Sequence, residues 1–189
     1  MFEELLSKIG VCLNRHNLPY MIIGGQAVLL YGEPRLTRDI DITLGVNIDH
    51  LNKLLAVVKE LSLKPIPKDK DINSFVKQTM VLPTIEESTG IRVDFIFAFT
   101  PYEINAIKRV KKVIIMRQEV AFASLEDLII HKIFAGRPRD LEDVKSIIIK
   151  NTGIDSKYIR NWLKEFEVSA EEKKDFLITF EEILSQINS

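Results

Sequence analysis

MIIGGQAVLLYGEPRLTRDIDITLG, residues 21–45, reads as a short strand, a glycine turn, one or two helical turns and a second strand carrying two aspartates. Side chains alternate faces along a strand, so Asp39 and Asp41 emerge together while Ile40 and Ile42 point into the core. Two carboxylates sharing one small space repel unless a cation lies between them, and a divalent metal with oxygen ligands is the usual solution. Gly24 and Gly25 close the preceding strand, where bare backbone can approach a phosphate and present its amides. A phosphate cradle facing a carboxylate pair points to chemistry on a nucleotide.

Composition sets the frame for that stretch. With 189 residues, 46% hydrophobic and 28% charged, the chain falls in the globular range and is long enough to bury a core. A formal net charge of −1 argues against a broad electrostatic footprint on nucleic acid or on a membrane surface. The single cysteine, Cys12, excludes an internal disulfide and is expected to be a buried thiol. The chain starts MFEELLSKIG, with acids where a secretion signal carries positive charge. No apolar run approaches the roughly twenty residues that span a bilayer. A soluble cytoplasmic protein, without a membrane partner, is the expectation.

Working outward, Phe2, Leu5, Leu6, Ile9 and Leu13 recur at helical spacing. Tyr20 to Ile23 is expected as the first strand, Gln26 to Tyr31 as a brief helix, and Asp39 to Val46 as the second strand. Asp49 is expected to cap a helix running to about Leu61. Lys64 to Asp71, with Pro65 and Pro67, suits an edge segment or loop. Phe75 to Leu82 reads as a strand. Ile91 to Phe99 alternates strictly and puts Arg92 and Asp94 on one face. Pro101 starts a short helix that ends near the basic group Lys108 to Lys112. One or two strands follow over Val113 to Met116 and Glu119 to Ala123. After Ser124, a cap with Asp127 three residues on, helices are predicted over Leu125 to Phe134, Pro138 to Ile149, Asp155 to Phe166 and Glu171 to Ile187. Strands first and helices last give an α+β class with a mixed β-sheet.

The order strand, Gly-Gly, short helix, Asp-x-Asp strand resembles the nucleotidyltransferases of the DNA polymerase β-like superfamily. Ile23-Gly24-Gly25 and Asp39-Ile40-Asp41-Ile42 carry that likeness, and Asp94 fits the family's third carboxylate on a later strand. SLEDLIIHKIFAGRPRDLEDV resembles the helical segment of small nucleotidyltransferases related to AbiEii-type toxins. Arg35, Thr37, Asp39 and Asp41, then Arg92 and Asp94, then Lys132, then Arg139, Asp140 and Asp143 follow that family's pattern from about Pro19 to about Ile149. Arg92 stands where relatives often have lysine, and Gln26 where many have a small or hydroxyl residue.

The resemblance implies a polymerase β-like fold with a nucleotidyltransferase core over 1–123 and a helical C-terminal lobe over 124–189, or one continuous domain. It implies transfer of an NMP from an NTP such as ATP to an acceptor hydroxyl, with release of pyrophosphate. Asp39, Asp41 and Asp94 would hold Mg²⁺ or Mn²⁺ and, with Lys132, be catalytic. Gly24, Gly25, Arg35, Thr37, Arg38 and Asp140 would bind the nucleotide. The acceptor is left open between tRNA, a protein side chain and a small aminoglycoside-type molecule, and an antitoxin is an expected partner of a toxin-type enzyme. A non-catalytic nucleotide-binding or partner-binding module of the same fold is the alternative.

Each of these residues also has an ordinary reading. Asp39 and Asp41 suit a solvated strand face or pairing with Arg35 and Arg38, and Asp94 suits pairing with Arg92. Lys132 lies on the inward stripe of its helix with Leu128, so it needs an anion, either a phosphate or Asp140 and Asp143. Those two aspartates equally suit the N-terminus of their helix. His16, His50 and His131 show no metal-ligand spacing in the sequence.

Overall fold

The amphipathic start of the chain folds into α1 (Phe2–Arg15), which buries Leu5, Leu6, Ile9 and Leu13. β1 (Tyr20–Ile23), α2 (Gly24–Tyr31) and β2 (Asp39–Leu44) follow. A single 3₁₀ turn over Ile48–His50 leads into α3 (Leu51–Glu60), then β3 (Lys64–Pro65), α4 (Ile72–Thr79), β4 (Val81–Glu86) and β5 (Ile91–Phe97). Next come α5 (Pro101–Lys108) and the hairpin of β6 (Lys111–Ile115) and β7 (Gln118–Phe122). The chain then turns helical through α6 (Leu125–Ala135), α7 (Pro138–Lys150), α8 (Ser156–Ser169) and α9 (Phe176–Asn188). The structure, a computed structural model, describes residues 1–67, 71–170 and 174–188. The architecture is α+β, with strands gathered in one mixed sheet and the last four elements helical.

The described chain divides into two compact units, Met1–Gln26 with Leu36–Ala123, and Ala27–Arg35 with Ser124–Ser189. The first holds the whole seven-stranded sheet, in the order β3-β4-β5-β2-β1-β7-β6. The sheet is mixed, since β2 pairs with β5 and β1 with β7 in parallel and the other neighbours are antiparallel. β2 is central, and its Ile40, Ile42 and Leu44 are all fully buried. Full burial of three branched side chains fixes the register of β2, because a slip of one residue would send all three to the other face. α1 packs against β7, burying Ile9 and Leu13 completely.

In the second unit α6 packs on α7, α8 and α9, with Leu128, Ile129, Ile130, Val144, Ile147, Ile159, Leu163 and Phe180 as its fully buried core. Ser124 caps α6 by accepting a hydrogen bond from Asp127 N at 3.1 Å, and Gly136 ends it in the left-handed region at φ 64°. The segment 27–35 belongs with these helices because α7 and its end hold it. Asn151 Nδ2 donates to Tyr31 O at 2.7 Å, Lys150 Nζ to Gly32 O at 3.3 Å, and Glu33 N to Ser146 Oγ at 3.3 Å.

Several local expectations change. Phe75 to Leu82 is not one strand: α4 ends at Thr79, Met80 takes the left-handed conformation at φ 57°, and β4 begins at Val81. Ile72 and Val76, four apart, are its buried pair, so the helical period there outweighs the β-branched residues. The second strand stops at Leu44 rather than Val46. Asp49 lies within the 3₁₀ turn, which Asn47 caps by accepting from Asp49 N at 3.2 Å, and α3 begins after His50 without a side-chain cap. α2 starts at Gly24 rather than at Gln26. Of the segment Lys64 to Asp71, Lys64–Pro65 is an edge strand, while 68–70 lie outside the described residues, as does the expected helix start at Glu171. Among the described residues no helix is long and apolar enough to cross a membrane.

Candidate active site

Strand alternation and sheet register together build the carboxylate face of the first unit. On β2, Asp39 is exposed and Asp41 half-buried, and between and beyond them Ile40 and Ile42 anchor the strand in the core. The parallel pairing of β2 with β5 sets Asp39 opposite Arg92 and Asp41 opposite Asp94. Opposed residues of neighbouring strands point to the same side of a sheet, so three carboxylates and one guanidinium share a face. Arg92 Nε donates to Asp94 Oδ1 at 2.7 Å. That hydrogen bond holds the Arg92 pKa above its ordinary value, against a smaller opposing effect of burial, and the charges of Asp94, Asp39 and Asp41 add to it.

Gly24 is fitted to this face. Its φ is +64°, and a Cβ placed on it would stand 1.9 Å from Asp41 Oδ2, far inside any contact. Only a residue without a side chain lets the turn from β1 into α2 lie against the Asp41 carboxylate. Across the same strand pair, Ile23 lies opposite Asp41 in the antiparallel β1–β2 register. Thr37, just before β2, donates its hydroxyl to Asp39 Oδ1 at 3.0 Å and so orients that carboxylate. Arg38 is exposed beside it.

A set of three carboxylates on adjacent strands is an all-oxygen donor set, which suits a hard divalent cation of the Mg²⁺ or Mn²⁺ class. Gly24 packs its bare backbone directly against one of these carboxylates, Asp41. Asp94 is turned towards Arg92, and the three carboxylates are not gathered within 4.8 Å of one another. Among the described residues, that spacing is met by Cys12, His16 and Glu60.

Lys132, Asp140 and Arg35 lie in the second unit, where they form a buried ionic network. Lys132 Nζ lies 2.7 Å from Asp140 Oδ1 and 2.9 Å from Asp143 Oδ2, with side-chain exposures of 5%, 3% and 6%. Arg35 grips Asp143 through both Nε and Nη2, at 2.9 and 3.0 Å. Arg137 donates Nε to Asp140 Oδ2 at 2.5 Å. Burial pushes the Asp140 carboxyl up, but the hydrogen bonds and charges of Arg137 and Lys132 outweigh it and hold the group below its ordinary 3.8. The inward lysine thus has the aspartates of α7 as its anions.

Two buried polar residues escaped the sequence reading. Asp127, expected only as a cap partner, is fully buried and accepts from Tyr158 Oη at 2.8 Å and Ser124 Oγ at 2.5 Å. Its place at i+3 from a serine hid a second role that only α8 reveals. Gln26, noted only as a departure from the family pattern, is 6% exposed, and its Nε2 has no hydrogen-bond partner among the described residues. A glutamine on an otherwise apolar helix, AVLL following it, was the available signal.

The family model described as nucleotidyltransferase of unknown function (DUF6036) matches residues 2–187. No curated protein matches the chain. Among solved structures, the antibiotic-resistance factor ANT(2'')-Ia is similar over 88% of this chain and 91% of its own, at 19% identity and a TM-score of 0.59. A nucleotidyltransferase of Thermotoga maritima is similar over 87% and 93%, at 18% identity and a TM-score of 0.52. The lincosamide antibiotic adenylyltransferase LnuA is similar over 74% and 91%, at 16% identity and a TM-score of 0.50. At these identities the likeness is one of fold.

Proposed function

This chain belongs to the family of nucleotidyltransferases of unknown function (DUF6036), and on that premise we propose that its first unit transfers an NMP, with ATP as the donor, to an acceptor hydroxyl. The observation that carries the reading is the parallel register of β2 and β5, which opposes Asp41 to Asp94 while Gly24 lies against the Asp41 carboxylate. Asp39, Asp41 and Asp94 are the residues that would hold Mg²⁺ or Mn²⁺. When bound, the cation would neutralise triphosphate charge and stabilise charge on the attacking and leaving oxygens.

The chain's own residues supply the rest. The backbone at Gly24 and Gly25 and the exposed Arg38 hold the β- and γ-phosphates by charge-assisted hydrogen bonds. Thr37 fixes the rotamer of Asp39. Asp94 takes the proton of the acceptor hydroxyl. The acceptor oxygen bonds to the α-phosphorus, the bond from that phosphorus to the bridging oxygen breaks, and pyrophosphate leaves with the electron pair. Arg92, paired with Asp94, keeps that carboxylate oriented between turnovers. Lys132 and Asp140 act through their own network, which holds α6, α7 and Arg35 in one arrangement.

A net charge of −1 favours a small acceptor, since a large RNA footprint needs many basic contacts. A tRNA end, which needs few contacts, is the acceptor of the toxin-type reading, with an antitoxin as its partner; that reading rests on the resemblance of Arg35 to Asp41 and of the segment 124–144 to AbiEii-type relatives. Incubation with each α-labelled nucleoside triphosphate, Mg²⁺ or Mn²⁺ and a cell extract tests both, by whether label enters RNA, protein or small molecules. Asp41→Asn should abolish labelling while leaving the fold intact. Equal labelling by wild type and Asp41→Asn would overturn the assignment. Stabilisation by nucleotide without any dependence on divalent metal, and no labelling, would instead favour a binding module.

A further inference from the structure

α1 and α3, both in the first unit, bring three different metal-ligating side chains to one point. Cys12 lies in the last turn of α1 and His16, four residues on, is the residue that ends it. Glu60, the last residue of α3, reaches them from a distant part of the chain. One ligand atom from each, the Cys12 thiol sulfur, a His16 ring nitrogen and a Glu60 carboxylate oxygen, lie within 4.8 Å of one another. His16 Nε2 is already 2.9 Å from Glu60 Oε2, and the other oxygen of Glu60 is held by Arg15. Sequence spacing concealed the cluster, because the helix supplies only two of its three members.

An ion pair among Arg15, His16 and Glu60 accounts for the imidazole and the carboxylate but leaves no work for the thiol. Cys12 is 2% exposed, yet it borders a cleft of about 550 Å³ that Arg15 and Glu60 also line. Cys12 is thus a buried residue at the wall of an open cleft. Bond lengths of about 2.0–2.3 Å set the ligand atoms of a tetrahedral zinc about 3–4 Å apart. The 2.9 Å between His16 Nε2 and Glu60 Oε2 is close to that range, and the Cys12 sulfur lies within 4.8 Å of both ligand atoms, so the three stand near the spacing one ion requires. A donor set of sulfur, nitrogen and oxygen selects a borderline ion over Mg²⁺, which prefers oxygen throughout.

We propose that Cys12, His16 and Glu60 bind a zinc-class divalent ion that clips α1 to α3, with its fourth position open to the cleft. The site is separate from the carboxylates of β2 and β5, and the chemistry of its ligands distinguishes the two. Co²⁺ added to the purified full-length chain should give one equivalent of a thiolate-to-metal absorption band, which no site built only of carboxylates produces. Zn²⁺ should displace the band and raise the unfolding temperature. Cys12→Ser should lose the band. Glu60→Gln lies at the surface and leaves the core untouched; it should weaken Zn²⁺ binding at least tenfold, since losing even a group that only orients a ligand costs about 10- to 100-fold. No thiolate band in the wild type, or a band and an affinity unchanged in Glu60→Gln and His16→Gln, would overturn the proposal.

Discussion

Replacing Gly24 by alanine adds one methyl group where the turn meets the carboxylate face, and two separable costs follow. The backbone at φ +64° is in the left-handed region, which costs a residue with a Cβ about 1–2 kcal/mol. The new Cβ also stands 1.9 Å from Asp41 Oδ2, so the carboxylate has to leave its rotamer, at about 0.5–1.5 kcal/mol. Together these predict a loss of about 1.5–3.5 kcal/mol, or roughly 3–14 °C in Tm for a chain of this size. Activity should fall further than stability, on the order of a hundredfold, because a displacement of about 1 Å at a reacting group has that effect. Urea unfolding and NMP-labelling assays on the same preparations read the two losses. The coupling is checked in an Asp41→Ala background, where only the Asp41 Cβ, 3.1 Å away, still faces the added methyl. There Gly24→Ala should cost little more than the backbone strain, about 1–2 kcal/mol. An equal cost in both backgrounds, or a Gly24→Ala enzyme with wild-type labelling, would refute the fit between the turn and Asp41.

Two further substitutions test the ionic network of the second unit. Lys132→Met leaves two buried carboxylates without their shared ammonium, so urea midpoints should report a loss of about 3–5 kcal/mol, and a change under about 1 kcal/mol would show that Arg35 and Arg137 suffice alone. Asp140→Asn should lower stability at about pH 6, and the gap to wild type should narrow at about pH 3. The sign follows from the Asp140 carboxyl being held below 3.8 in the folded chain: its contribution is complete above that value and is lost as pH falls through the lower folded one. A gap that stays constant across the two pH values would contradict the pairing with Lys132 and Arg137.

Local pattern was enough for much of this architecture. Ile40, Ile42 and Leu44 alternate with Asp39, Asp41 and Thr43, and the structure makes that stretch the central strand. Ser124 with Asp127, and Pro101, announced helix starts that the structure contains. The stretch before β4 was misread for a physical reason: Phe75 and Val76 suit a strand by type, while the buried pair Ile72 and Val76 obeys the helical period.

The sequence by itself determined which side chains could share a face, because alternation and the helical repeat depend only on neighbours along the chain. It therefore placed Asp39 with Asp41, Arg92 with Asp94, and Lys132 on an inward stripe. Tertiary structure alone decided what those faces meet: Asp41 opposite Asp94, Gly24 against a carboxylate, Lys132 between two aspartates of α7, and Glu60 beside Cys12 and His16. Such pairings join distant segments, and they are fixed by which apolar surfaces bury together, as when full burial of Ile40 and Ile42 holds β2 in register with β5.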